Sequence, residues 1–239
     1  VYIDDLGLAV DKPVEFLKVL TDKYKFKLKG SGPIAFHLGM DFSRDEDGVL
    51  CMAPTKYLDK VFANYERMFG EKPKQNVSTP LEGGDHPELD TSDFLDGDGI
   101  AQYQSLIGTL QWVISIGRFD ITTHVMSLSS YRIAPRIGHL DRAKHIIGYL
   151  AKMRHVCIQF RTDTPDYSDL PIPVYDWSTS VYNNPKEVLP TDAPEPLGKT
   201  VVTTHYCDAS LFYDMLTGKA VTATLHFVNQ TPCDWFSKK

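Results

Sequence analysis

Apolar residues recur along the chain either in short strand-like runs or at the three- and four-residue spacing of helices. The points where one pattern replaces the other outline the organisation of the chain. From Val1 to Val10, two short apolar runs are split by Asp4 and Asp5, which predicts a buried β-hairpin with both acids at its turn. A short helix with Pro13 in its first turn should follow and pack on that hairpin, because its apolar residues share one face. The N-terminal part is therefore expected to be a sheet covered by a helix.

The pattern after residue 33 predicts a second hairpin followed by helices. Two strand-like runs flank Asp45–Gly48, a composition that favours a tight reversal. A helix is predicted from Thr55, a candidate cap, to Gly70. Three further stretches have apolar residues at three- and four-residue spacing, and each predicts a helix: Tyr103–Ile116, Asp120–Tyr131 and His139–Met153.

The last third of the chain returns to strand-like patterns after an interruption. Residues 163–200 contain seven prolines, too many for a continuous helix or a central strand, and predict a linker. Three strands are expected beyond it, in residues 201–239. The predicted class is α+β, with parts at 1–52, 53–160, 161–200 and 201–239.

Composition and charge limit the classes of function. The 239 residues are 42% hydrophobic, which is enough for a real core. The net charge is −6, but residues 82–99 hold seven acids with no Lys or Arg, and residues 163–200 hold seven acids against two lysines. The remainder is net positive, so a nucleic-acid partner is not excluded.

Cysteine usage and hydropathy bear on location. Four scattered cysteines without a CxxC pair suggest reduced thiols. No stretch resembles a signal peptide or a membrane span. We therefore expect a cytoplasmic or nuclear protein that is neither secreted nor inserted in a membrane.

The adjacent acids Asp4 and Asp5 are the sharpest chemical signal. Carboxylates held together at a hairpin turn offer the hard oxygen ligands that Mg²⁺ prefers, and two such ions support in-line phosphoryl transfer. The alternative for so short a string is a polar turn between strands.

Several segments in order resemble the Ty1/copia type of reverse transcriptase. YIDD (2–5) resembles the Tyr-x-Asp-Asp box, and FHLGMDF (36–42) is similar to the hairpin that grips the primer end. VSTPL (77–81) resembles a Val-Ser-Thr-Pro segment. Three later segments resemble the family's next helices and the segment between them: YQSLIGTLQW (103–112), GRFDI (117–121) and HLDRAKHIIGYL (139–150).

The resemblance implies roles for the matching residues. Asp4 and Asp5 would bind Mg²⁺, or Mn²⁺ in its place. Gln104, Gly108 and Trp112 are four residues apart and so share one helix face. That face would follow the minor groove of an RNA/DNA template-primer, although helix–helix packing is an equally good explanation of Gly108. Nucleic-acid contacts are also implied for four residues of the box and the hairpin: Tyr2, Leu38, Gly39 and Met40.

The C-terminal strands resemble the beginning of a ribonuclease H domain. YCDAS (206–210) is similar to its first strand, which would make Asp208 a catalytic, metal-binding carboxylate, and WFSKK (235–239) resembles a later strand. The Asp-x-Asp-Trp pattern common in the family is absent, and a lone strand Asp is more often a strand-end residue.

Together these expectations describe a piece of a retrotransposon Pol polyprotein. It would run from the end of the polymerase palm sheet through a helical thumb and connection into an incomplete ribonuclease H sheet. The complete enzyme would use deoxynucleotides and the rest of the polyprotein, in the cytoplasm within a virus-like particle or in the nucleus. A further metal-binding Asp is expected upstream, so this chain alone should not turn over. The alternatives are a noncatalytic nucleic-acid binding module and a decayed relic.

Basic residues on the predicted helices form a possible template-facing patch, although a solvated helix surface is the default interpretation. The patch comprises Lys56, Lys60, Arg118, Arg132, Arg136, Arg142, Lys144 and Arg154.

Overall fold

Two antiparallel sheets and a helical body make up the fold. The computed structural model describes residues 6–30, 32–171, 176–181, 188, 190–196 and 198–239. A four-stranded sheet has the order β1-β2-β3-β4, and a three-stranded sheet has the order β5-β6-β7. The mixture of helices and antiparallel sheets agrees with the predicted α+β class.

The N-terminal hairpin is not found in the described residues. Residues 6–10 are irregular, which contradicts the predicted second strand, and residues 1–5 lie outside the described residues. Helix α1 (Pro13–Lys18) continues as a π-helical turn, Val19–Lys23, and neither segment has a buried residue. The expected packing of this helix on a hairpin is therefore wrong. No described strand pairs with residues 6–10, and a lone hairpin is marginal in water.

The first sheet is built from two reversals and one later strand. It comprises β1 (Phe36–His37), β2 (Met40–Arg44), β3 (Leu50–Ala53) and β4 (Ile158–Gln159). The predicted reversal at Asp45–Gly48 is confirmed, because β2 pairs with β3 and Asp45 Oδ1 accepts a hydrogen bond from the Val49 amide at 2.8 Å. Strand β4 then ties the end of the helical body to β3.

Helix α2 (Thr55–Phe69) confirms the predicted helix. Its buried residues Leu58, Val61 and Tyr65 recur at three- and four-residue spacing. The helix ends at Gly70, whose φ of 69° is left-handed and suits a residue without a Cβ. Pro54, rather than Thr55, occupies the N-cap position, and no side chain caps this end.

Three more helices complete the body: α3 (Gly97–Ser115), α4 (Thr122–Leu128) and α5 (Ile137–Lys152). Single 3₁₀ turns at Phe119–Ile121 and Ser129–Tyr131 flank α4. The apolar faces of the four helices α2–α5 meet in one core. It includes the fully buried residues Leu58, Tyr103, Ile107, Leu110, Val125, Ile146 and Leu150.

The second sheet consists of the three predicted strands and packs on the helical body. It comprises β5 (Thr203–Ser210), β6 (Val221–Val228) and β7 (Thr231–Lys238). Trp235 of β7 donates from Nε1 to the Ile114 carbonyl at 3.1 Å, and its ring centroid lies 5.2 Å from that of Phe119. The sheet is therefore docked on the end of α3.

The described parts of 163–200 are irregular except for the 3₁₀ turn Trp177–Thr179, in keeping with the proline content. Among the helices of the described chain, none combines the length and apolar character needed to cross a membrane.

Candidate nucleic-acid interface

The turn between β1 and β2 holds two of the predicted contact residues. Phe36 pairs with Asp41 and His37 with Met40, so Leu38 and Gly39 form a two-residue reversal. Both have positive φ, 51° and 85°, which two-residue hairpin turns of the I′ type require. Gly39 adopts this angle without strain, whereas Leu38 carries a Cβ and is held there by the pairing on both sides.

This turn lies beside the exposed face of α3. A Cβ placed on Gly39 would be 3.9 Å from Nε1 of Trp112, and the Trp112 side chain remains 48% exposed. The structure thus places the β1–β2 turn next to the helix face that contains Trp112. The sequence analysis predicted template-primer contacts for each of them independently. The turn and the exposed indole therefore lie side by side.

Gly108 lies in the middle of that face and contacts nothing across it. A Cβ built on Gly108 would meet no heavy atom within 4 Å, so no neighbouring helix requires a glycine here. Gln104 is also exposed, and its Nε2 donates to the Arg132 carbonyl at 2.9 Å. Of the two explanations for Gly108, helix–helix packing is unsupported by the structure, and an open surface for a ligand remains.

Most of the basic patch is engaged within the protein. Arg118 is 1% exposed and binds Asp120 in a bidentate pair, with Nη1 donating to the Met153 carbonyl at 3.0 Å. The template-facing hypothesis is therefore wrong for Arg118. Other members have partners at the surface or in half-buried networks, as follows: Lys56 with Asp41, Arg142 with Asp85 and Asp90, Lys144 with Glu71, and Arg154 with Asp59.

One engaged cluster fixes the first acidic stretch against α5. Arg142 donates from Nε to Asp85 Oδ2 at 2.7 Å and from Nη1 to Asp90 Oδ2 at 2.6 Å. Hydrogen bonds to Asp85, more than any other interaction, raise the pKa of Arg142. Burial works against ionised Asp90, yet hydrogen bonds from Ser92 and Arg142 outweigh it and leave the pKa of Asp90 below its usual value. The predicted acidic loop is thus partly a structural partner of the bundle.

Asp208 lies on β5, opposite Ala223 of β6, and is exposed. No group of three or more His, Cys, Asp or Glu side chains in the described part of the chain is placed to hold a metal ion. The described residues therefore do not by themselves form a site that fits Mg²⁺ at Asp208. Tyr2, Asp4 and Asp5 lie outside the described residues.

Sequence reasoning did not single out the polar residues between α2 and α3. Asn64, Ser105 and Thr109 border a cavity of about 70 Å³ together with Lys60. The four-residue spacing of Lys56, Lys60 and Asn64 was a usable signal, because it places them on one edge of α2. Which edge faces α3 depends on the tertiary packing.

Comparison with known proteins relates the chain to retrotransposon Pol proteins. A transposon Ty5-1 protein of Saccharomyces cerevisiae is 28% identical over 179 residues, covering 73% of this chain and 54% of the relative. A retrovirus-related Pol polyprotein from transposon TNT 1-94 of Nicotiana tabacum is 28% identical over 172 residues, covering 69% of this chain and 12% of the relative. The chain therefore spans about half of the first relative and a small part of the second.

No family model matches the chain, and no solved structure matches it.

Proposed function

We propose that the chain is the primer-holding part of a retrotransposon reverse transcriptase that continues into a ribonuclease H domain. The observation that carries this proposal is the closeness of the Gly39 turn to Trp112, next to the open surface at Gly108. A turn, an exposed indole and a helix face without side-chain cover suit the shallow minor groove of an RNA/DNA duplex, which is recognised by shape and backbone. The relationship to a Pol polyprotein supports the same assignment.

In the complete enzyme, Asp4 and Asp5 are proposed to hold Mg²⁺, or Mn²⁺, and Asp208 to contribute to the ribonuclease H site. The metal would supply charge stabilisation for phosphoryl transfer. The residues of the described surface act differently: they hold the template-primer and fix its register. The partners are thus an RNA/DNA template-primer, deoxynucleotides and the rest of the polyprotein.

Binding of a template-primer by the 239-residue chain tests the proposal. We expect a labelled RNA/DNA hybrid to bind, with an affinity that falls as salt rises. Trp112→Ala should weaken binding about tenfold, since truncation of a Trp side chain that anchors an interface costs about 1 kcal/mol or more. Phe236→Ala, a truncation of a similarly exposed aromatic on β7, is the control. Equal affinity of the Trp112 and Phe236 variants would contradict the proposed surface.

A second candidate is a noncatalytic nucleic-acid binding module, because no group of three or more His, Cys, Asp or Glu side chains in the described chain is placed to hold a metal ion at Asp208. Primer extension separates the two. With the fingers and palm of a related Pol polyprotein supplied upstream, extension that is lost in Asp4→Asn and in Asp5→Asn supports the enzyme. Binding without extension in the parent protein supports the module.

A further inference from the structure

Two histidines face each other across strands β5 and β6. His205 of β5 is directly opposite His226 of β6 in the antiparallel register, so both side chains lie on the same face of the sheet. Their Nδ1 atoms are within hydrogen-bonding distance, and the ring centres are 4.7 Å apart with 65° between the ring planes. Two imidazole nitrogens are thus directed at each other.

This histidine pair lies on the face of the sheet that points away from the helical body. Trp235 of β7 contacts the body, and its neighbour Asp234 is opposite His226. Because successive side chains of a strand point to opposite faces, His226 and Asp234 share the outward face. His205 is exposed and His226 is half-buried, so a solute can reach both rings.

A β-bulge accompanies the pair. The register between β6 and β7 shifts directly after His226, which leaves Cys233 as an extra residue in β7. The Cys233 thiol donates to the His226 carbonyl at 3.4 Å, so the backbone at His226 has a contact of its own. Bulges are common next to functional sites, where they change the direction of a side chain.

The distance between the rings suits one divalent transition-metal ion. Neutral imidazole is a good ligand for Zn²⁺, Ni²⁺ and Cu²⁺, and the metal–nitrogen distance is about 2.0–2.1 Å for zinc. Two rings that bind one ion at about 90–100° to each other have centres roughly 4.5–5 Å apart. The 4.7 Å between His205 and His226 falls in this range. A hydrogen bond between the rings uses one nitrogen lone pair, whereas a metal ion would use both.

We propose that His205 and His226 chelate one divalent transition-metal ion of the Zn²⁺ or Ni²⁺ class. No group of three or more His, Cys, Asp or Glu side chains in the described chain is placed to hold a metal, so water would supply the other ligands. Asp208 is three residues from His205 and points to the other face of β5. The bound ion would link β5, which is almost entirely exposed, to β6.

Titration of the 239-residue chain with Ni²⁺ tests this site. Calorimetry should show one Ni²⁺ ion per chain, and Mg²⁺ should not displace it, because Mg²⁺ prefers oxygen ligands. His205→Ala and His226→Ala should each weaken Ni²⁺ binding about tenfold or more, because the second ring no longer binds the same ion intramolecularly. His155→Ala removes another exposed histidine and is the matched control, which should bind Ni²⁺ like the parent chain.

A fourth variant separates metal binding from the hydrogen bond between the rings. His226→Asn keeps a hydrogen-bonding side chain opposite His205 but removes the imidazole ligand, so it should also lose Ni²⁺ affinity. In NMR spectra of the parent chain, Ni²⁺ should broaden the ring signals of His205 and His226 before those of any other of the eight histidines. Unchanged urea unfolding of the variants without metal would assign the lost affinity to the lost ligand. Parent-like Ni²⁺ binding in both alanine variants, or no binding by the parent chain, overturns the proposal.

Discussion

At the scale of single residues, Gly108 is a position where helix stability alone would favour alanine over glycine. A glycine inside an exposed helix destabilises it by about 0.5–1 kcal/mol relative to alanine. Nothing within 4 Å of a Cβ at Gly108 offsets this cost, unlike Gly148, where a Cβ would lie 2.1 Å from the Lys74 carbonyl oxygen. Packing explains the glycine at 148, and the proposed ligand would explain the one at 108.

Gly108→Ala should therefore stabilise the protein while weakening its interaction with the template-primer. We expect urea unfolding to show a gain of about 0.5–1 kcal/mol. Hybrid affinity should fall several-fold, because a methyl group would occupy the surface that the duplex approaches. Gly97→Ala, at the other end of α3 and also in open space, is the control and should leave affinity unchanged. A stabilised variant with full affinity would remove the reason to place the duplex at Gly108.

His139 is a second residue whose environment has a measurable consequence. It is 3% exposed, and its ring stacks on Tyr131 with centroids 4.1 Å apart. Nδ1 accepts from the Arg136 amide at 3.1 Å and Nε2 faces the Pro87 carbonyl at 2.8 Å, so the geometry requires a neutral ring with its proton on Nε2. Burial accordingly lowers the pKa of His139 from its usual 6.5.

Stability should therefore decrease as the pH falls below about 6.5. The folded protein holds His139 neutral while the unfolded chain takes up a proton, so this contribution is complete above the unfolded pKa and is lost on acidification. Burial lowers the pKa of His124 as well, which adds a change of the same sign. His139→Gln should reduce the loss of unfolding free energy between about pH 7.5 and 5.5. The same pH profile in the parent and the His139 variant would contradict this origin.

At the scale of elements, regular spacing of apolar residues was sufficient to predict helices and strands. A short strand-like pattern with no partner strand was not. Helix α2 and strands β5–β7 lie where their apolar spacing predicted them. Helix α3 begins six residues earlier than predicted, at Gly97, because Asp96 caps it by accepting from the Gly99 amide at 2.8 Å. The seven acids of residues 82–99 had indicated only a loop there. The strand predicted at residues 6–10 lacks a described partner strand.

The candidate surface was predictable only in part, for a physical reason. The face Gln104–Gly108–Trp112 follows from helix geometry alone. Whether a basic residue is free depends on acids that are distant in the sequence: Arg154 pairs with Asp59, and Arg142 with Asp85. Charge pattern therefore indicated a patch of eight residues, whereas the structure pairs five of them with acids: Lys56, Arg118, Arg142, Lys144 and Arg154.

At the scale of the whole molecule, the C-terminal sheet depends on the helical body. All residues of β5 except Thr204 are exposed, so this three-stranded sheet has little core of its own. Its links to the body include the Trp235–Ile114 hydrogen bond, Asn229 Nδ2 to the Thr162 carbonyl at 2.8 Å, and the Met215 amide to Glu88 Oε1 at 3.0 Å. The sheet and the helices should accordingly unfold together.

Trp235→Ala should uncouple the two parts. Removing a partly buried indole and its hydrogen bond should cost about 2 kcal/mol or more. Because that loss falls on the docking contact, amide hydrogen exchange should accelerate in β5–β7 while the amides of α3 and α5 stay protected. Phe236→Ala removes an aromatic ring from the opposite, exposed face of β7 and should change neither. Equal acceleration in the sheet and the helices would instead mean that Trp235 stabilises one indivisible core. In that case strands β5–β7 and the proposed primer-holding surface could not fold as separate parts of the polyprotein.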